Sequence, residues 1–284
     1  MKRVALILSI VLFAAIPADA ALERQIIGSE QDHSADSAGD CEHFYKTTFT
    51  TFTQQVSDSE QRELSLTGAE PQLRVDASQE GGVSIRGWNK PFARLQVCRF
   101  AAANSREQAQ RALGAITVSF ANGRIEALGP QNDNTQAWWV NMTLFVPKGT
   151  YVDVRAKNGG VAIRNMNGRV KASATGGGIS VVQSIGKYVI STDSGGITLD
   201  RITGRAEAYS RAGSVALKVQ QSSTTAPKIE ARTASAHILC ALKNCDAGLG
   251  KWAADKRSLT IGTAPPDFRI TTTGSPIMIG AAVN

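Results

Sequence analysis

The chain has 284 residues, 42% of them hydrophobic and 19% charged, and a formal net charge of +7. That length suffices for one elongated domain or two compact ones. The cations are scattered without a Lys/Arg run, which argues against nucleic acid as a partner, because phosphate affinity comes from clustered positive charge.

The chain opens MKRVALILSIVLFAAIPADA. Lys2 and Arg3 precede an apolar run from Val4 to Ile16, and Ala18-Asp19-Ala20 supplies a small-x-small cleavage pattern. The apolar run falls short of the roughly 20 residues that a spanning helix needs. Residues 1–20 are therefore expected to be a signal peptide. Cleavage after Ala20 leaves 284 − 20 = 264 residues, and the loss of Lys2, Arg3 and Asp19 takes the charge to +6. The expected address is periplasmic, cell-surface or secreted, with no integral membrane span.

Residues 21–43 are polar and aperiodic, and read as a flexible leader. From Phe44 the text turns strand-like: FYKTTFTTF, LRVDA, GGVSIRGW, ARLQVCRF, ITVSF, RIEAL and AWWVNMTLFV. NSREQAQRAL (104–113) is the helix candidate, with Asn104 or Ser105 as N-cap. Residues 44–145 are thus expected to form a β-rich cap with one short helix, covering strand edges that would otherwise invite aggregation. Of the adjacent pair Trp138-Trp139, alternation sends one ring inward and the other to the opposite face. Trp139 is the candidate for a sugar- or partner-stacking surface. Asn141-Met142-Thr143 matches a glycosylation sequon inside a strand signal, a context that argues against modification.

Residues 146–284 carry an internal repeat. KNGGVAI (157–163), TGGGISV (175–181), DSGGITL (193–199) and RAGSVAL (211–217) align with Val161, Ile179, Ile197 and Val215 spaced by 18. Within each unit a step of 9 brings a second pair of alternating small or aliphatic residues, such as Val170/Ala172 and Tyr188/Ile190. Members of a pair are two apart and share one strand face. After QQSSTTAP (220–227) the register resumes at Ile229/Ala231 and Ile238/Cys240, and Leu259/Ile261, Phe268/Ile270 and Ile277/Ile279 close the chain. An 18-residue unit cannot bury its apolar face alone, so units must stack. The expected architecture is all-β: a single-stranded β-solenoid with coils of about 18 residues.

The corners fall at Gly159/Gly160, Gly177/Gly178, Gly195/Gly196 and Gly213. Their expected cause is tolerance of positive φ. This disposes of a second reading. Asp193-Ser194-Gly195-Gly196 and TASAHILC around His237 echo the nucleophile and histidine segments of chymotrypsin-like proteases, but Ser194 occupies the place held by Asn158 and Gly176 in other units. The histidine also follows the serine in the chain, and a triad is defined by geometry rather than a tetrapeptide.

Four cysteines allow three pairings, and an exported chain is in a disulfide-permissive compartment. Cys240–Cys245 and Cys41–Cys98 are favoured. With no C-x-x-C and only His33, His43 and His237, no metal site is expected. Asp153, Asp193 and Asp200 occupy different places in the unit, so no column of carboxylates suited to glycosidic cleavage forms. No catalytic residue and no cofactor are assigned.

The run VPKGTYVDVRAKNGGVAIRNMNGRVKASATGGGISV, continuing through SGGITLDRITGRAEAYSRAGSVALKV, resembles the bacterial putative-adhesin domain family. The match covers about residues 140–220 and includes Val146, Pro147, Gly149 and the paired glycine corners. The resemblance implies an exported β-strand-repeat protein that acts as a non-enzymatic interaction module for an envelope glycan or protein. Outward cations, chiefly Arg201, Arg205 and Arg211 with Lys171 and Lys218, are the candidates for contacting anionic glycans. The alternatives are a carbohydrate-active β-helix enzyme and a purely architectural or signalling-associated envelope protein.

Overall fold

A computed structural model describes residues 52–66, 71–77, 80–220, 227–242, 245, 250–262 and 265–282. The expected signal peptide, the leader and Cys41 lie outside them. The described residues are all-β apart from one helix, and their strands join in one mixed sheet.

The first strands are β1 (Gln54–Leu64), β2 (Gln72–Asp76), β3 (Val83–Trp88) and β4 (Ala93–Ala103), followed by helix α1 (Arg106–Gly114). Ser105 is the N-cap, its Oγ accepting the Gln108 N–H at 3.2 Å, and Ala109 and Ala112 are buried. Next come β5 (Thr117–Ala121), β6 (Arg124–Leu128), β7 (Gln136–Pro147), β8 (Tyr151–Ala156), β9 (Val161–Arg164) and β10 (Asn167–Ala174). Two long strands, β11 (Ile179–Thr192) and β12 (Ile197–Ser210), precede β13 (Val215–Val219). The remainder is β14 (Ile229–Thr233), β15 (Ile238–Cys240), β16 (Gly250–Trp252), β17 (Ser258–Ile261), β18 (Phe268–Thr272) and β19 (Ile277–Ala281).

Two parallel ladders organise these strands. In the first, Leu73, Val152, Val170, Tyr188, Ala206, Phe268 and Ile229 are successive register partners, and β6 extends the row beyond β2. In the second, Met142, Val83, Val161, Ile179, Ile197, Val215, Ile277 and Ile238 are. From β8 to β13 the step of 18 is thus a hydrogen-bonded register: β8, β10, β11 and β12 pair in turn in the first ladder, and β9, β11, β12 and β13 in the second. Strands β11 and β12 each run through both ladders, turning at Gln183 and Arg201, whose φ angles are +49° and +52°. The inward side chains of both ladders belong to one apolar cluster. Tyr188 sits fully buried within it and donates its hydroxyl to the Met166 carbonyl at 3.2 Å. Burial raises the phenol pKa to about 12, with a smaller opposing effect from a hydrogen bond with Ser184.

Spatial order departs from chain order at both ends. The strand pair β2/β3 lies between β6/β7 and β8/β9, although it precedes both in sequence. The last pair, β18/β19, lies between β12/β13 and β14/β15. Each of these two strand pairs therefore slides one level into the stack. Antiparallel strands then finish the exposed levels: β5 on β6, β4 and β1 beyond β7, and β17 and β16 beyond β14. These cover strand edges of the outer levels.

Candidate ligand-binding face

The glycine corners stack, and their cause is not the expected one. Gly159, Gly160, Gly177, Gly178, Gly195, Gly196 and Gly213 are not among the residues of positive φ. A Cβ on Gly159 would lie 1.8 Å from the Gly81 carbonyl oxygen, one on Gly177 2.1 Å from that of Gly159, and one on Gly213 1.9 Å from that of Gly195. The first glycine of each corner is required by close approach of successive backbones. At the second the clearance rises to 3.3 Å for Gly160, 3.2 Å for Gly178 and 3.4 Å for Gly196, and Ser214 takes the equivalent place one unit later. Positive φ belongs to the opposite bend, at Asn165, Gln183 and Arg201.

Buried hydroxyls tie the glycine corners together. Thr192 Oγ1 donates to the Gly177 carbonyl at 3.0 Å and accepts the Gly195 N–H at 3.1 Å. Ser210 repeats this one unit on, donating to Gly195 O at 3.2 Å and accepting from Gly213 N at 2.9 Å. The exposed Ser194 hydroxyl donates to the Thr175 carbonyl at 3.0 Å. His237 sits at a corner three levels away, beyond those of Ala212 and Gly274. Three inter-strand spacings amount to roughly 14 Å. The two protease-like segments do not meet.

Trp139 does not offer a surface. It is 2% exposed and lies flat against Phe100, with ring centroids 5.0 Å and planes 6° apart. Trp138 enters the main core, so the pair does divide between faces, but β7 is a central strand covered on both. Sequence reasoning passed over Trp88. Its ring is edge-on to Phe92 at 5.1 Å, with Lys90 Nζ and Arg94 Cζ each 5.1 Å from its centroid. The aromatic and basic residues of WNKPFAR were the available signal. The cations already cover the ring at the β3–β4 connection, so its face is not open for stacking.

The three candidate arginines are not brought together. Arg201 is at the positive-φ bend, 3.3 Å from Asp200, and Arg211 is at the glycine corner, 3.7 Å from Asp193. Arg205 points outward from the first ladder. Its register partner is Lys187, whose own partner on the other side is Arg169. Arg169, Lys187 and Arg205 are all exposed, and they are spaced by 18 in the sequence. Lys171 and Lys218 lie on different ladders.

The carboxylates are likewise dispersed. Asp153 is held by Arg74 at 3.4 Å and Arg155 at 3.9 Å, and Asp193 and Asp200 have the arginine partners just described. Among the described residues no three His, Cys, Asp or Glu side chains are grouped to hold a metal. Cys240 and Cys245 are joined by a disulfide with Cα atoms 6.2 Å apart. Cys98 is also disulfide-bonded.

No family model matches the chain, and no curated protein matches it. Among solved structures it is similar to a putative cell adhesion protein from Clostridium sporogenes ATCC 15579, at 11% identity and TM-score 0.39, covering 80% of this chain and 100% of that one. A putative adhesin from Bacteroides fragilis NCTC 9343 has 11% identity and TM-score 0.33, covering 78% and 97%. A putative lipid binding protein from Parabacteroides distasonis ATCC 8503 has 9% identity and TM-score 0.32, covering 80% and 95%.

Proposed function

We propose that the protein is an exported, non-enzymatic, adhesin-like module that binds a glycan or protein of the cell envelope through the outer faces of its ladders. The observation that carries this reading is the constant register. Residues 18 apart stand side by side on an outer face, so one side-chain contact is offered repeatedly along the stack. Such a face suits multivalent, individually weak contacts. The passage of β11 and β12 through both ladders around one apolar cluster supports a β-solenoid for the repeat. Residues 1–20 supply the export signal in this reading, residues 21–43 a leader, and residues 44–145 the cap. The Cys41–Cys98 bridge would tie the leader to the cap. Among the described residues no helix is long and apolar enough to cross a membrane.

The test is retention of the purified protein on envelope polysaccharide and envelope protein fractions. Binding to one fraction is expected. Retention on none of them overturns the reading.

A further inference from the structure

We infer that residues 21–40 form an acidic strap that docks on a basic patch of the protein's own surface, the outer face of β4, β7, β3 and β9, beside a Cys41–Cys98 bridge. This rests on the export part of the reading above, in which residues 1–20 are removed, and it names a regulation of the interaction module.

The two parts carry opposite charge. Residues 21–40 hold Glu23, Glu30, Asp32, Asp36 and Asp40 against Arg24, a formal charge of −4. The mature chain carries +6, so residues 41–284 carry +10. A tail and a body of opposite charge attract, and a tether sets where they meet. Cys98 is disulfide-bonded, and Cys240 and Cys245 are joined to each other, which leaves Cys41, fourth of the four cysteines, as its partner. Cys98 lies on the outer face of β4, in a separate apolar cluster with Phe100, Ala102 and Trp139, and Phe52 packs on that cluster. Residues 21–40 therefore join the body at this face, with Asp40 next to the bridge.

Arg94 is on the same face as Cys98, four residues away on β4, which at the rise of a strand is about 13 Å. Its row continues across the strands through Phe145 and Arg86 to exposed Arg164. Two rings gather the cations. Lys90 Nζ and Arg94 Cζ each lie 5.1 Å from the Trp88 centroid, Phe145 is 5.2 Å from Trp88, and Arg86 Cζ is 5.9 Å from the Phe145 centroid. Four positive side chains thus stand against Glu63, which heads the row 4.0 Å from Arg94. The next carboxylate along the row is Asp200, beyond Val182 and held by Arg201. Asp36 is five residues from Cys41, a reach of about 17 Å, which spans the distance from Cys98 to Arg94. A short tether holds such a segment at an effective concentration on the order of mM, so individually weak ion pairs keep it docked. The docked strap competes with an acidic envelope ligand for the same cations, and salt releases it.

The test is zero-length cross-linking of the mature chain with a carbodiimide, which joins a carboxylate to an amine it touches, followed by peptide mapping of the monomer without reductant. Lys90 is the amine in the patch, and exposed Lys187 and Lys251 on β11 and β16 are the references. Lys90 should be joined to acidic residues of 21–40, and about tenfold less in 1 M salt, where the screening length falls to about 3 Å. Arg164→Glu should lower the Lys90 yield by about threefold or more, whereas Arg205→Glu, the same change of charge on the first ladder, should leave it unchanged. Absence of the Lys90 cross-link, or joining of Lys187 or Lys251 as often as Lys90, overturns the inference. So does equal loss in the two variants, or a Cys98 partner other than Cys41. If the Lys90 cross-link is missing while envelope fractions retain the protein, the strap falls and the interaction-module reading stands. If the cross-link forms and no fraction retains the protein, the module reading falls alone.

Discussion

An alanine Cβ built on Gly195 would lie 2.1 Å from the carbonyl oxygen of Gly177, closer than any non-bonded carbon tolerates. The obstacle is backbone held in the ladder, so it cannot swing aside. Gly195→Ala is expected to cost about 1–3 kcal/mol through overpacking. Gly114→Ala is the control. Gly114 is helical with nothing within 4 Å of an added Cβ, so the same change there should stabilise by about 0.4–1 kcal/mol. Denaturant unfolding of both variants reads the difference.

Two serines in successive corners should behave differently. Ser210 is fully buried, and its removal leaves the Gly213 N–H without its acceptor. Ser210→Ala should cost about 1–3 kcal/mol, the penalty of an unsatisfied buried donor. Ser194 is exposed and makes one hydrogen bond to a carbonyl that water can serve. Ser194→Ala should cost less than about 1 kcal/mol. Thermal melts separate the pair, and an esterase or peptidase activity abolished by Ser194→Ala would overturn the assignment of that residue to a corner.

Ile197 is 1% exposed and stands between Ile179 and Val215 in the second ladder. Ile197→Asp would bury a charge where neighbouring strands offer only aliphatics. A loss above about 4 kcal/mol, seen as failure to give a cooperative melt, is expected. Ile197→Val keeps the packing and should cost about 0.5–1.5 kcal/mol.

Tyr188 makes stability fall at alkaline pH. Its phenol ionises near the ordinary value of 10 when unfolded and at about 12 when folded, because burial disfavours the phenolate. The folded state holds its proton more tightly, so the contribution is complete below pH 10 and lost as pH rises toward 12. Urea midpoints between pH 9 and 12 should fall for wild type. Tyr188→Phe should be less stable at neutral pH, through loss of the bond to Met166 O, and should flatten that decline.

The repeat was legible because its physics is local. Alternation fixes which face each of Val161, Ile179, Ile197 and Val215 presents, and the step of 18 fixes which residues become neighbours. Level order was not legible. Phe268/Ile270 and Ile229/Ala231 carry the same small inward pattern, so nothing in either segment says that the former contacts Ala206/Ala208. Strand β1 escaped notice because QQVSDSEQREL lacks an apolar stripe; its pairing along β4 holds it. The corner glycines were found for the wrong reason, since a single unit viewed alone shows a bend and only the stack shows the crowding.

The inward tuck of β2/β3 and β18/β19 limits how this protein can lengthen. A copied unit inserted beside β2/β3 or β18/β19 would meet neighbours distant in sequence and displace a pairing already made. A copy placed between residues 161 and 210 would meet the same upper and lower neighbours as its parent. Gene duplication, natural or designed, therefore has its permissive ground in the middle of the repeat, and the levels built by β2/β3 and β18/β19 act as fixed terminals for an array of variable height.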